Sequence, residues 1–123
     1  MAIEFRRSGI DIIGDIPWGT HFCQFYRTAD DLLDILVPYF AAGLEANEFC
    51  MWVTSEPVDV KAAERALAAA IPDFARRLRD GQMEILPHDQ WYLAGGDFDA
   101  QRVLDAWAGK LEQARARFVT SQA

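Results

Sequence analysis

Positive charge is in short supply in this sequence: 12 lysines and arginines stand against 19 aspartates and glutamates, for a formal net charge of -7 over 123 residues. Binding to a nucleic-acid backbone needs clustered cations that displace counterions, so the balance argues against direct nucleic-acid contact. The basic residues that do cluster, Arg76, Arg77 and Arg79 and then Arg115 and Arg117, fall at apparent helix ends, where cations complement the dipole. Cysteine is also scarce. Cys23 and Cys50 form no C-x-x-C pair, which excludes a disulfide framework and makes reduced thiols the expectation. No apolar run reaches the roughly 18 residues of a membrane span, and residues 1–7 lack the apolar stretch of a signal peptide. The expected location is cytoplasmic, with no membrane partner. With 51% hydrophobic and 25% charged residues, the chain has the profile of a single domain that buries a sizeable core. That domain is expected to have its core over about 19–117, behind a polar, glycine-punctuated lead over 1–18.

Short apolar runs alternate with helical stretches. Residues 21–26, rich in aromatics, read as a first buried strand. Thr28 is placed to cap the next helix, whose first turn carries Asp30 and Asp31 and whose interior holds Pro38, a predicted kink. Gly43 suits a left-handed turn at its end. Residues 49–54 form a continuous apolar run, expected of a strand covered on both faces. An Ala- and Leu-rich helix over about 58–70 and a short helix over 73–79 precede a third strand, 83–87, stopped by Pro87. Residues 91–96 read as a loop, and a last helix opens at 97–99 with Asp97 as its cap. The order βαβαβα predicts an α/β fold with a mostly parallel sheet and helices on both faces.

Such folds bind phosphates where the first strand feeds the first helix. That turn carries Tyr26-Arg27-Thr28-Ala29-Asp30-Asp31, without the glycines and lysine of a phosphate loop. The one stretch with phosphate-loop glycine spacing, Gly14 to His21, lacks the lysine and precedes the strand instead of following it. Two carboxylates at the positive helix end would repel a triphosphate, so ATP hydrolysis is not expected.

Several motifs occur in order: His21-x-Cys23-x-Phe25-Tyr26; Asp31-Leu32-Leu33; Val37-Pro38-Tyr39-Phe40-x-x-Gly43-Leu44; Asn47 through Glu56; and Trp91-Tyr92-x-x-Gly95-Gly96-x-Phe98-Asp99, with Trp107 beyond. From about Gly19 to Ala116 the chain resembles the MEDS domain, the sensory domain of the dichloromethane-responsive repressor and its relatives. The resemblance implies a degenerate RecA/KaiC-like fold that has lost its phosphate loop, and a non-enzymatic role in signal transduction and transcription regulation. It also implies a small hydrocarbon-derived ligand and a regulatory partner beside the sensor, such as a kinase, PAS or DNA-binding module. In that family further strands follow the last helix, whereas here Phe118-Val119-Thr120-Ser121 runs almost to the final residue; the expectation is a truncated domain or one completed by a partner chain.

Candidate ligand-binding residues are those placed at strand ends. Tyr26, Trp52 and Trp91, with Tyr92, would supply aromatic walls; Thr54, Ser55 and His88 would supply polar groups; and His21 and Cys23 share one face of the expected first strand. Equally, Trp52 fits as core and Trp91 as a cap on the sheet edge, with Cys23 and Cys50 as small buried residues. A second reading gathers His21, Cys23, Cys50 and His88 as soft ligands of a metal or redox sensor. No cofactor is required by the first reading. A third reading is an interaction module whose short sheet exposes an edge and pairs into a homodimer. No catalytic set is evident, since nothing supplies an oxyanion donor for a Cys-His pair and the acidic pairs fit helix entry.

Overall fold

A computed structural model describes residues 4–20, 23, 25–93 and 96–117, and the backbone of 121–122. In chain order the elements are β1 (Phe5–Arg7), β2 (Asp15–Pro17), α1 (Ala29–Glu45), β3 (Phe49–Thr54), α2 (Val60–Ala70), α3 (Phe74–Arg79), β4 (Met83–Pro87), α4 (His88–Trp91), α5 (Ala100–Arg117) and β5 (Ser121–Gln122). The fold is α/β. Among the described residues β4, β3 and β5 lie side by side in that order, and both pairings are parallel. No helix among them is long and apolar enough to cross a membrane.

β3 organises the core. Its alternate side chains go to opposite faces: Cys50 and Trp52 join Phe40, Leu44, Ala63, Leu67 and Phe74 of α1, α2 and α3. Phe49 and Met51 join Ala114, with Trp91 of α4 and Trp107 of α5 packed against them. Residues apolar on both faces explain why the run is continuous rather than alternating.

α1 begins as the sequence predicts. The Thr28 hydroxyl accepts the Asp31 amide at 3.1 Å, and Asp31 in turn accepts the Arg27 amide at 3.2 Å. The helix continues through Pro38 to Glu45. Its end differs from expectation. Gly43 is helical and buried, and the left-handed residue is Asn47, at φ 60°. The Glu48 amide donates to Gly43 O at 2.9 Å and the Asn47 amide to Leu44 O at 3.1 Å, the paired bonds that close a helix through a left-handed residue. Gly43 is needed for another reason: a Cβ there would lie 2.8 Å from Cys50 Sγ, so only glycine lets β3 pass this close.

Three further expectations are corrected. They concern the first strand, Trp91 and the cap of the last helix; within the lead, β1 and β2 pair antiparallel, Arg6 opposite Ile16, and those two are the buried ones while Phe5 and Arg7 face out. Hydropathy points the wrong way here because the inward residue is a cation with a distant partner. Of the expected first strand, His21, Phe22 and Gln24 lie outside the described residues; Cys23, Phe25 and Tyr26 are exposed and belong to no strand. An aromatic run makes a strand only where a neighbour pairs with it, and the described neighbours of β3 are β4 and β5. Finally, Trp91 ends the short helix α4 instead of starting a loop, and Asp99 rather than Asp97 caps α5, accepting the Arg102 amide at 3.1 Å.

Candidate functional site at the carboxyl edge

The β3–β4 register brings Thr54 opposite Pro87, so both strands end together and hand the chain to Ser55 and His88. Both of these are exposed, whereas Thr54 is buried with its hydroxyl donating to Leu86 O at 3.4 Å. His88 opens α4, and its carbonyl accepts the Tyr92 amide at 2.7 Å. A hydroxyl and an imidazole thus stand at neighbouring strand ends, where parallel α/β sheets place their ligands.

α1 supplies a wall. Phe40 stacks on Trp52 with ring centroids 5.3 Å apart, and Gly43 meets Cys50, so α1 runs antiparallel to β3. From Phe40 back to Ala29 the helix rises about 16 Å, while from Trp52 to Thr54 the strand rises only about 7 Å. The first turns of α1 therefore overshoot the sheet by roughly 10 Å. They carry Leu32 and Leu33, half-buried and packed against the core, and are preceded by Tyr26, 41% exposed. At the amino terminus of α1 the Thr28 hydroxyl holds the Asp31 amide, and Asp30 and Asp31 put two carboxylates in the first turn, which disfavours a phosphate there. Gly14 and Gly19, which mimic phosphate-loop spacing, serve the hairpin instead; their φ values are 71° and 84°, and Gly14 O accepts the Ser8 amide at 3.1 Å.

The aromatic candidates do not share one wall. Trp52 is core on the α1 face; Trp91 is on the α5 face, edge-on to Trp107 at 4.9 Å. The sheet separates them. Trp91 Nε1 is buried without an acceptor among the described residues. His21 lies outside the described residues, and Cys23 is an exposed free thiol.

The metal set is likewise divided. Cys50 pairs in register with Met83 at the amino end of the sheet, about 13 Å along the strand from Thr54, whereas His88 follows the carboxyl end. No cluster of three or more His, Cys, Asp or Glu suited to a metal occurs among the described residues. Burial, reinforced by the Glu48 carboxylate, pushes the Cys50 thiol up to about 12, so it is no thiolate donor at neutral pH. One consequence is measurable. Near neutral pH a thiol reagent is expected to titrate Cys23 in the native protein and Cys50 only after unfolding. Because the unfolded thiol ionises near 9.0 and the folded one near 12, the unfolded chain releases its proton first. Stability is therefore intact below pH 9 and falls above it by about 1.4 kcal/mol per pH unit until pH approaches 12. Tyr39, also raised by burial, adds to the loss in the same direction. Chemical denaturation across that range checks both slopes.

Sequence reasoning missed the most buried charges. Arg6 and Glu48 are joined at the amino end of β3: Nη2 donates to Oε1 at 2.8 Å and Nε to Oε1 at 3.0 Å, and each side chain is 2% exposed. The guanidinium lies against the rings of Tyr39 and Trp18, 5.2 and 5.6 Å from their centroids. The only local signal was a glutamate set directly before an apolar strand.

No curated protein and no solved structure matches the chain. Residues 20–121 match a family model, MEDS, described as MEthanogen/methylotroph, DcmR Sensory domain. The match leaves out the β1–β2 hairpin and takes in every element from α1 to the start of β5, so the chain belongs to the MEDS family of sensory domains.

Proposed function

We propose that this domain is a non-enzymatic cytoplasmic sensor that binds a small, hydrocarbon-derived organic molecule at the carboxyl edge of its parallel sheet and relays occupancy to a regulatory partner or module. The observation that carries this reading is the end of β3 and β4: exposed Ser55 and His88 follow paired strand ends, at the end of the sheet towards which the apolar start of α1 lies. Tyr26, exposed before α1, and Trp91, on the α5 face, are candidates for contact; the buried Thr54 hydroxyl bonds Leu86 O and ties the two strand ends together. His21 and Cys23, which precede Tyr26, remain candidates through the family motif. A degenerate RecA-like sheet with helices on both faces fits the parallel pairings and the two core clusters. An α1 terminus already capped by its own side chains favours an uncharged ligand over a nucleotide, and no metal or cofactor is called on.

Calorimetric titration and thermal-shift screening of C1 and C2 compounds against nucleotides test the proposal. The expected result is saturable stabilisation by a small organic compound, weakened in Ser55→Ala and His88→Ala, with no ATP turnover. Tight ATP binding with turnover would sink it. A dimerising module is the second reading, favoured by Leu104 and Leu111, which are 61% and 39% exposed and seven residues apart on α5. Light scattering on the same samples separates a homodimer from a monomeric sensor.

A further inference from the structure

At the opposite end of the sheet, the surroundings of Arg6 form a recognition set for a guanidinium. Glu48 takes two nitrogens of the fork, with Nη2 2.8 Å and Nε 3.0 Å from Oε1 and Nε 3.3 Å from Oε2. The Tyr39 and Trp18 rings receive the flat cation at 5.2 and 5.6 Å. Gly43 keeps the helix surface flush; a Cβ there would lie 3.2 Å from Glu48 Oε1 and 3.5 Å from Arg6 Nη2. A planar, delocalised cation uses all of these features together, whereas a compact ammonium would meet the carboxylate and forgo most of the ring contact.

Arg6 and one wall of its surroundings, Trp18, lie outside the family match, in and directly after the hairpin, whereas Tyr39, Gly43 and Glu48 lie within residues 20–121. The fit of Arg6 is also incomplete. Arg6 Nη1 is buried with no hydrogen-bond partner among the described residues, which is a cost the tethered cation carries. We propose that Glu48, Tyr39 and Trp18 form a guanidinium-binding site whose resident occupant is Arg6, and that a free alkylguanidinium compound competes with Arg6 for it. Entry of such a ligand displaces the Arg6 side chain and with it the ion pair holding β1 against the amino end of β3. Pairing of Arg6 with Glu48 and binding of a free guanidinium are then alternative states of one site, separate from the Ser55–His88 edge.

Chemical rescue tests the assignment. In Arg6→Ala, millimolar N-ethylguanidinium is expected to raise the melting temperature by several degrees in a saturable way. Ethylammonium at equal concentration should not, and Arg6→Ala/Glu48→Gln should lose the response. No shift, equal shifts with both cations, or a shift that persists in the double variant would each overturn the proposal. Should Arg6→Ala not fold, the unmodified protein carries the test through hydrogen exchange of the hairpin amides. Several-fold faster, saturable exchange with N-ethylguanidinium and not with ethylammonium supports competition; unchanged exchange overturns it.

Discussion

Glu48→Ala is expected to lower the unfolding free energy by about 3–5 kcal/mol, a large part of the roughly 5–15 kcal/mol available to a domain. The size follows from what stays behind. Arg6 would keep its charge, 2% exposed, with no carboxylate on either of the nitrogens that Glu48 now holds. Replacing both residues is a different experiment: Arg6→Met/Glu48→Leu removes two desolvated charges together and is expected to cost far less than either Arg6→Met or Glu48→Leu alone. Urea denaturation of the four proteins gives the coupling directly. Additive losses would mean that the pair is not desolvated as its burial implies.

The ion pair also marks the boundary of what could be read from the sequence. Elements fixed by local pattern were legible. Phe49 to Thr54 announced a strand by its length and unbroken hydrophobicity, and Thr28, Asp30 and Asp31 announced a helix start by chemistry contained within four residues. Arg6 and Glu48 are 42 residues apart, and neither says anything about the other until the hairpin folds onto α1. The end of α1 shows the same limit more finely. Gly43 and Asn47 are both residue types that close helices, and local rules favour the glycine. The choice falls on Asn47 because Cys50 must pass over position 43, a tertiary demand that no local rule contains. That Ser55 and His88 follow neighbouring strand ends was legible, because the lengths of the two apolar runs fix it. The shared Trp52–Trp91 wall was not, since pleat alternation and α4 send the two rings to opposite faces.

Gly9→Ala should be as disruptive as loss of Glu48, by a route that needs no charge. Gly9 has φ 75°, a conformation that costs an alanine about 1–2 kcal/mol. Its surroundings add more: a Cβ would lie 2.1 Å from Pro38 O and 2.7 Å from Pro38 C, backbone atoms of α1 that have no rotamer to escape into. Overpacking of this kind typically adds about 1–3 kcal/mol, for a total of about 2–5 kcal/mol. Gly14→Ala is the internal control, since it has nearly the same φ, 71°, and nothing within 4 Å of the added Cβ. It is expected to show the conformational cost alone, about 1–2 kcal/mol. The two disruptions must also be coupled. If alanine at position 9 pushes the hairpin off α1, Arg6 reaches water and its pairing with Glu48 is already lost. Glu48→Ala in that background should then cost much less than in the unmodified protein, the sub-additivity expected of two contacts that share one docking event. Full additivity in urea denaturation would show instead that Gly9 and Arg6 hold the hairpin independently, and that the segment preceding α1 does not dock as a unit.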